Sequence, residues 1–250
     1  MGSTAVTTTG QEEEKLKAWL TKAAPEIGHL LPKSITPERM VKAALVSAVR
    51  NPDIAKCTRE SILLAVMRAA QLGLEIGEDI HLVPVNKKQD GGYVKVCEAW
   101  PDYRGLMRLA MQGGLVRHMV PYVVREGDQF HYELGLNETL QHLPQAKSTA
   151  PLTHAYAIIT LRFGAKTFHV LTIDEIEARR ANSKQWGPEK VKRCPDWWAK
   201  KAVLRDWLGR QPKTAKLTEA LELDNAVEAD AIPALPPGFT VDGEVMDGAA

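Results

Sequence analysis

The sequence predicts an α+β fold in which helices flank an antiparallel meander of five or six strands. Apolar residues recur at helical spacing near both ends of the chain, whereas they alternate with polar residues through much of the middle. The order is therefore helices, then strands, then helices. It lacks the regular βαβ alternation of nucleotide-binding folds.

Local capping signals place the first helices. Thr36-Pro37-Glu38 combines a hydroxyl N-cap, a proline at the first helical position and an acid in the first turn. Asn51-Pro52 ends that helix. Thr58 begins the next one, and Gly73 suits its C-cap. A still earlier helix is expected over 12–21.

The middle of the chain predicts two hairpins. Strands over 80–85 and 93–100 flank a polar loop over 86–92, and Gly164-Ala165 turns the chain between alternating strands in the second hairpin. Pro121 indicates an edge strand or a bulge. Between the two hairpins we expect a short helix over 105–112 and strands over 116–125 and 130–134.

A capping box and a proline place the last helices. Thr172-Ile173-Asp174-Glu175 is a capping box that opens a helix running to about Ala181. A polar, cationic loop covers 182–193, and Pro195 opens a helix that Gly209 closes.

Charge is unevenly distributed along the chain. The net charge of the 250 residues is +1, but the eight acids after residue 216 are accompanied by no Lys or Arg. Residues 1–216 therefore hold 32 cations and 23 acids, a net charge of +9. A basic body with an acidic tail suggests a polyanion ligand. The tail either competes for the basic surface, recruits a basic partner or only solubilises the chain.

Several function classes find no support in the sequence. There is no Gly-rich phosphate loop, which argues against ATP-driven chemistry, and no Gly-x-Ser-x-Gly nucleophile elbow. Cys57, Cys97 and Cys194 form no metal motif and fit a reducing compartment, so we expect the cytoplasm. No apolar run approaches the length of a membrane span. Scattered acids leave a metal-dependent nuclease open as an alternative: Asp79, Asp102, Asp128 and Glu133.

The helix over 196–208 combines three tryptophans with three cations. At about 100° per residue, Trp197 and Trp207 join one apolar arc, which predicts that they pack in the core. Trp198 lies with Lys201 and Arg205 on another side. Such a surface suits single-stranded nucleic acid, since cations bind phosphates and flat rings stack on bases. An amphipathic helix with a solvated charged face is the alternative interpretation.

Six short motifs occur in a fixed order along the chain: Gln71-Leu72-Gly73-Leu74-Glu75, Tyr103-Arg104-Gly105, Val123 to Asp128 with Phe130 and Tyr132-Glu133, Thr153-His154-Ala155-Tyr156-Ala157, Ser183-Lys184, and Ala199-Lys200-Lys201-Ala202 with Arg205. Their order resembles that of the RecT family of phage and prophage single-strand annealing proteins. The resemblance runs from about Ser34 to about Leu208. It departs from the family at Ile76, where proline is frequent, at Asp206, where a second cation is frequent, and at an insertion of Pro101-Asp102. The resemblance implies that the protein acts in the cytoplasm of a bacterial host cell.

The resemblance implies an ATP-independent protein that coats single-stranded DNA and anneals complementary strands in homologous recombination, without being an enzyme. It implies a curved antiparallel sheet packed with helices, and assembly into rings or helical filaments. A phage exonuclease and the host single-strand-binding protein are the implied partners. No cofactor is required, although Mg²⁺ is expected to modulate annealing. The expected organisation is an N-terminal segment over 1–33, partly disordered or used in assembly, an annealing core over 34–215 and an acidic, disordered tail over 216–250.

Eleven residues are predicted to form the DNA interface. Cations would line a groove facing phosphates, whereas three aromatic residues would stack on bases or shape the groove wall. A passive single-strand-binding protein, which would bind DNA without speeding annealing, remains an alternative beside the nuclease. The predicted cations are Lys87, Lys88, Arg104, Arg125, Lys184, Lys200, Lys201 and Arg205, and the aromatic residues are Tyr103, Trp186 and Trp198.

Overall fold

A computed structural model describes residues 14–31, 35–89, 92–145, 147–181, 183, 187–189, 191–226, 240–241 and 244–245. The chain divides into two compact units: residues 1–105 with 222–250, and residues 106–221. Both contain helices and antiparallel strand pairs, so the predicted α+β class is confirmed. No helix within the described ranges is long and apolar enough to cross a bilayer.

The first unit combines helices with one long hairpin. The predicted caps are confirmed: the Thr36 and Thr58 hydroxyls accept the N–H groups of residues three positions later, and Gly73 ends its helix at a φ of +71°. Its helices are α1 (14–22), α2 (Ala24–Leu30), α3 (Pro37–Arg50) and α4 (Arg59–Leu72), and its hairpin consists of β1 (Ile80–Gln89) and β2 (Gly92–Pro101).

The β1–β2 hairpin is longer than predicted. Residues 86–89 continue the ladder, with Gln89 opposite Gly92, instead of forming a loop. Lys87 and Lys88 are therefore strand residues. The hairpin packs on α4, where the Ser61 hydroxyl accepts the backbone N–H of Cys97 at 2.8 Å.

The second unit is built around a three-stranded antiparallel sheet in the order β3-β6-β7. α5 (Tyr103–Gln112) begins in the first unit and continues into the second, and the last residues of α8 belong to the first unit again. The other elements of the second unit are β3 (Val116–Arg125), β4 (Gln129–Glu133), β5 (Thr139–Leu143), β6 (Leu152–Leu161), β7 (Lys166–Thr172), α6 (Ile173–Ala181), α7 (Asp196–Gly209) and α8 (Ala215–Ala226).

The strands do not form the single meander that was predicted. β4 and β5 pair only with each other among the described strands, and β3 pairs with β6 across this insertion. The sequence analysis missed β5. Pro121 lies on β3, an edge strand with two bulges, as its missing N–H group predicted.

The sheet of the second unit has two covered faces. α7 packs on one face, where Met119, Ala157, Ile159 and Leu171 are buried. The β4–β5 hairpin places aromatic side chains against the other face. The capping box that opens α6 is confirmed, because Thr172 and Glu175 exchange hydrogen bonds.

α8 extends beyond the predicted start of the tail at residue 216. Leu217, Ala220 and Leu221 are buried. Beyond it, the described residues form only a two-residue strand pair, β8 (Thr240–Val241) and β9 (Glu244–Val245).

Candidate nucleic-acid interface

α7 carries the densest group of predicted site residues. Trp198, Lys200, Lys201 and Arg205 are all half-buried on this helix. Partial burial lets the aliphatic stem of a long cation lie against the protein while its charged end reaches water. At about 100° per residue, Trp198, Lys201 and Arg205 lie on one side of the helix, whereas Lys200 lies between Leu204 and Trp207 in the mostly buried arc. Its core residues are Ala199, Ala202, Val203, Leu204, Trp207 and Leu208.

Burial of the two other tryptophans of α7 only partly follows the prediction. Trp207 is buried, as expected for a packing residue. Trp197 is 36% exposed and therefore packs only in part.

Asp206 holds three cationic or protonatable side chains beside Arg205. Its carboxylate lies 2.7 Å from the His169 Nε2, 2.5 Å from an Arg179 nitrogen and 2.8 Å from an Arg210 nitrogen. Burial alone would raise the pKa of Asp206, but the hydrogen bonds from Arg179 and His169 outweigh it and lower the pKa. Asp206 is thus an ionised anchor that ties β7 and α6 to α7.

Arg125 is a structural link at the start of α7. Its guanidinium donates to the Asp196 carboxylate at 2.5 and 2.6 Å and to the carbonyl of Ala150 at 2.8 Å, and its side chain is 16% exposed. These bonds occupy the group that was predicted to bind phosphate. Arg125 therefore orients the helix rather than facing the groove.

Lys87 is buried in the β1–β2 hairpin. Its side chain is 3% exposed, and its ammonium lies 2.5 Å from the Glu98 carboxylate, which also accepts the indole N–H of Trp100 at 2.9 Å. The expected position at a hairpin tip is wrong for Lys87. An ammonium buried against a carboxylate is a poor phosphate contact, because leaving that partner would cost a buried charge pair.

Lys88 and Tyr93 lie opposite each other at the exposed end of the same hairpin. Lys88 is exposed, and Tyr93 is 77% exposed. Lys88 belongs to the predicted DNA interface, whereas Tyr93 does not. If the strands are extended through the polar segment, Tyr93 is expected opposite Lys88, and residues directly opposite on a hairpin share one face.

Tyr103 and Arg104 open α5 as a pair. The Arg104 guanidinium carbon lies 5.7 Å from the centre of the Tyr103 ring, and Arg104 is exposed. Gly105 follows because a Cβ at this position would lie 2.3 Å from the carbonyl oxygen of Asp79. The Tyr103-Arg104-Gly105 motif thus places a ring and a cation at the start of α5 and brings the backbone of Gly105 close to that of Asp79.

The loop over 182–193 is described only in part. Lys184 and Trp186 lie outside the described residues. At the base of the loop, Arg180 is fully buried and donates to Glu177 at 2.7 Å and to the carbonyl of Val191. A buried cation thus ties the end of α6 to the residues that precede α7.

The described site residues belong to two separate groups. Lys87, Lys88, Tyr103 and Arg104 lie in the first unit. The second unit brings Arg125 to the start of α7 and gathers the remaining four on that helix, namely Trp198, Lys200, Lys201 and Arg205.

Comparison with known proteins identifies the family. The model of the RecT family matches residues 38–234. Protein RecT of Escherichia coli (strain K12) is 31% identical over 225 residues, which cover 89% of this chain and 84% of that protein. The chain belongs to the RecT family. It is a single-strand annealing recombination protein. The family match extends past the expected end of the resemblance at Leu208 and includes α8.

Two motifs of this RecT family chain meet in an aromatic cluster between the β4–β5 hairpin and the sheet. Phe130 stacks on Tyr156 with ring centres 5.5 Å apart, and Tyr156 stacks on Tyr122 at 5.2 Å. His154 and Tyr132 lie against the same Phe130 ring. These motif residues therefore hold the hairpin to the sheet.

A polar chain closes one side of this cluster. His142 lies 3.2 Å from the Asp128 carboxylate and 3.0 Å from the Tyr156 hydroxyl. Burial raises the pKa of Tyr156 to about 12, so the phenol stays protonated. Burial also lowers the pKa of His154. Both shifts favour the neutral forms of Tyr156 and His154 beside the sheet.

The acids of the nuclease alternative serve local structure. Asp79 and Asp102 each accept a backbone N–H group, at 3.0 and 2.6 Å, and Asp128 accepts two at 2.8 Å. Glu133 is exposed beside His131. Among the residues that the structure describes, no three His, Cys, Asp or Glu side chains are grouped as metal ligands.

Proposed function

We propose that this RecT family protein coats single-stranded DNA as an oligomer and anneals complementary strands without ATP. The observation that carries the proposal is α7, where Lys201 and Arg205 lie with Trp198 on the side of the helix opposite its core residues. Cations give affinity for phosphates without reading sequence, and a ring tolerates any base.

Base pairing supplies the sequence selection in this mechanism. A protein that holds the backbone leaves the base edges readable by a second strand. If the annealed product binds more tightly than either single strand, binding itself drives pairing, so no nucleotide hydrolysis is needed. Assembly of subunits along one strand would keep that strand extended.

The proposed interface is a revised set of the predicted residues. Lys87 and Arg125 are left out because each is buried against a carboxylate. Tyr93 is added because it is exposed opposite Lys88. The set comprises Lys88, Tyr93, Tyr103 and Arg104 in the first unit, Trp198, Lys200, Lys201 and Arg205 in the second, and Lys184 and Trp186 in the loop before α7.

The proposal includes protein partners. Self-assembly into a ring or filament, a phage exonuclease and the host single-strand-binding protein follow from the family. The acidic tail is the segment best suited to a basic partner, since it carries acids without cations. Mg²⁺ would modulate annealing by screening phosphates rather than by acting in catalysis.

Salt dependence tests the interface. If about four to six phosphates are neutralised per subunit, log K for single strands falls with log[salt] at a slope of about −3 to −4. Lys201→Ala combined with Arg205→Ala should make that slope shallower by about 1.4, because two phosphate contacts disappear. Fluorescence anisotropy with a labelled oligonucleotide, repeated over a salt series, measures it.

A matched control separates local contacts from net charge. Lys42→Ala with Arg50→Ala removes two exposed cations from α3, outside the proposed interface. It should leave the slope near the wild-type value. Equal slopes for the α7 pair and wild type would contradict the proposed role of α7, and a salt-insensitive wild-type affinity would contradict phosphate binding altogether.

An annealing assay with two complementary oligonucleotides separates the three function classes. We expect faster duplex formation without ATP. A nuclease would instead shorten the strands with Mg²⁺ or Mn²⁺, and a passive single-strand-binding protein would slow pairing.

A further inference from the structure

The turn between β6 and β7 exposes an aromatic side chain that has no packing role in the described structure. Phe163 is 94% exposed. An apolar ring in water gains nothing for folding, since the hydrophobic contribution scales with area removed from water. Its position at the tip of a hairpin leaves both faces of the ring accessible to a ligand.

The backbone holds this ring on a rigid support. The N–H of Gly164 donates to the carbonyl of Leu161 at 2.9 Å, and the N–H of Leu161 donates to that of Ala165 at 2.8 Å. Gly164 adopts a φ of +89°, which a glycine accommodates without strain. The N–H of Arg162 also donates to the carbonyl of Leu115 at 2.9 Å.

One cation lies against the ring, and two more are exposed on the strands that lead to this turn. The Arg162 guanidinium carbon lies 5.9 Å from the centre of the Phe163 ring, and Lys166 is exposed at the start of β7. On β3, Arg117 is exposed at the bulge between two residues that pair with this end of β6. The neighbouring acid is Glu138, whose carboxylate accepts the Thr167 hydroxyl at 3.0 Å.

We propose that the β6–β7 turn is a base-stacking contact for single-stranded DNA. Phe163 stacks on an unpaired base, while Arg162 and Lys166 neutralise the phosphates on either side. This inference rests on the proposed function and adds a contact to it. An exposed ring between cations matches the two demands of a single strand, a flat partner for the base and positive charge for the backbone.

A DNA strand fits this turn better than a second copy of the chain. One aromatic side chain buries only about 150–250 Å², whereas a stable protein interface needs about 800 Å² from each partner. The cations at the turn also favour an anionic ligand over a protein surface of mixed charge.

Phe163→Ala, Phe163→Trp and the control Leu136→Ala test the contact. Leu136 is fully exposed in the connection between β4 and β5, so its truncation removes comparable apolar surface outside the turn. With a short oligothymidylate, we expect Phe163→Ala to weaken binding at least about fivefold. Phe163→Trp should retain the affinity, and Leu136→Ala should match wild type.

An abasic oligonucleotide of the same length identifies stacking. Wild type should lose affinity on changing from thymidylate to the abasic strand, and Phe163→Ala should lose much less, because the ring has no base to contact. The salt slope should stay unchanged in Phe163→Ala and become shallower in Arg162→Ala with Lys166→Ala, since only the latter removes phosphate contacts.

The outcomes separate this contact from the function on which it rests. If wild type binds with the expected salt slope and anneals, but Phe163→Ala binds both oligonucleotides like wild type, the turn is not a contact. A change in subunit number of DNA-free Phe163→Ala, measured by light scattering, together with equal losses on both oligonucleotides would overturn stacking in favour of a protein contact. Failure of wild type to bind or anneal would remove the proposed function itself.

Discussion

Asp206 stands at a position where the resemblance to the RecT family leads us to expect a cation, and its surroundings show how an acid is accommodated. Arg179 and Arg210 place two positive charges on its carboxylate, and His169 adds a hydrogen bond. The acid beside the proposed DNA-facing residues of α7 is therefore compensated by its own partners.

Asp206→Asn should lower the free energy of unfolding by about 1–2 kcal/mol at pH 7, since the charged hydrogen bonds are lost but both arginines can still reach water. The lowered pKa of Asp206 means that its stabilising contribution is complete above the unfolded-state value of about 3.9 and is lost as the pH falls through the folded-state value. Urea unfolding should therefore show a gap from wild type at pH 5 that shrinks as the pH falls below about 4.

Two further measurements make this prediction specific. Glu133→Gln, at an exposed carboxylate 3.4 Å from His131, should change stability by less than about 0.5 kcal/mol. Affinity of Asp206→Asn for single-stranded DNA should stay equal or rise, because a negative charge disappears. A pH-independent gap, or weaker DNA binding by a folded variant, would contradict the assigned role.

Individual site residues were predictable by type but not by environment. Lys87 and Arg125 have the chemistry of phosphate contacts, yet each faces a carboxylate, and that of Arg125 is 71 residues away along the chain. Exposure of Tyr93 and Phe163 is likewise a property of the folded hairpins. Partners across such distances leave no local signal in one sequence.

Helix boundaries were the most predictable elements, because their causes are local. A hydroxyl at position i and the N–H group three residues later decide an N-cap, and Thr36, Thr58 and Thr172 meet that requirement. The predicted loop over 86–92 is wrong for residues 86–89, because polar residues can continue a strand when one face of the hairpin is exposed to water. β5 was missed because its short strand depends on pairing with β4.

Two glycines in helices should respond in opposite directions to alanine. Gly105→Ala places a methyl group against the backbone oxygen of Asp79 at 2.3 Å, so we expect a loss of about 3 kcal/mol. Gly209→Ala, with no atom within 4 Å of the new methyl group, should gain up to about 1 kcal/mol from better helix propensity. Thermal and urea unfolding measure both, and similar effects of the two variants would contradict the close approach at Gly105.

The body of the chain is basic, whereas its C-terminal tail is acidic. Residues 227–250 hold five acids and no Lys or Arg, so their deletion raises the net charge from +1 to +6. Ala226 is the appropriate cut site because α8 ends there. A tail that competes for the basic surface would be displaced by DNA, and this competition should weaken as salt screens it.

If the tail competes for the basic surface, deleting residues 227–250 should strengthen binding to single-stranded DNA at low salt, with the difference vanishing at high salt. A variant that retains the tail but carries Asn or Gln at its five acids should behave like the deletion, which separates charge from chain length. Anisotropy titrations at two salt concentrations measure the effect. Unchanged DNA affinity together with loss of a basic partner protein would instead make the tail a docking segment.

The edge strand β3 has a consequence for self-association. The open edge of a sheet can pair with a strand of another copy and so cause aggregation. This tendency would increase if many copies bound one DNA molecule, as the proposed function requires. Pro121 removes one hydrogen-bond donor from β3, and bulges interrupt the register near both of its ends. This edge is therefore a poor template for joining the sheets of two copies, and the proposed assembly would not have to prevent such pairing along β3 by other means.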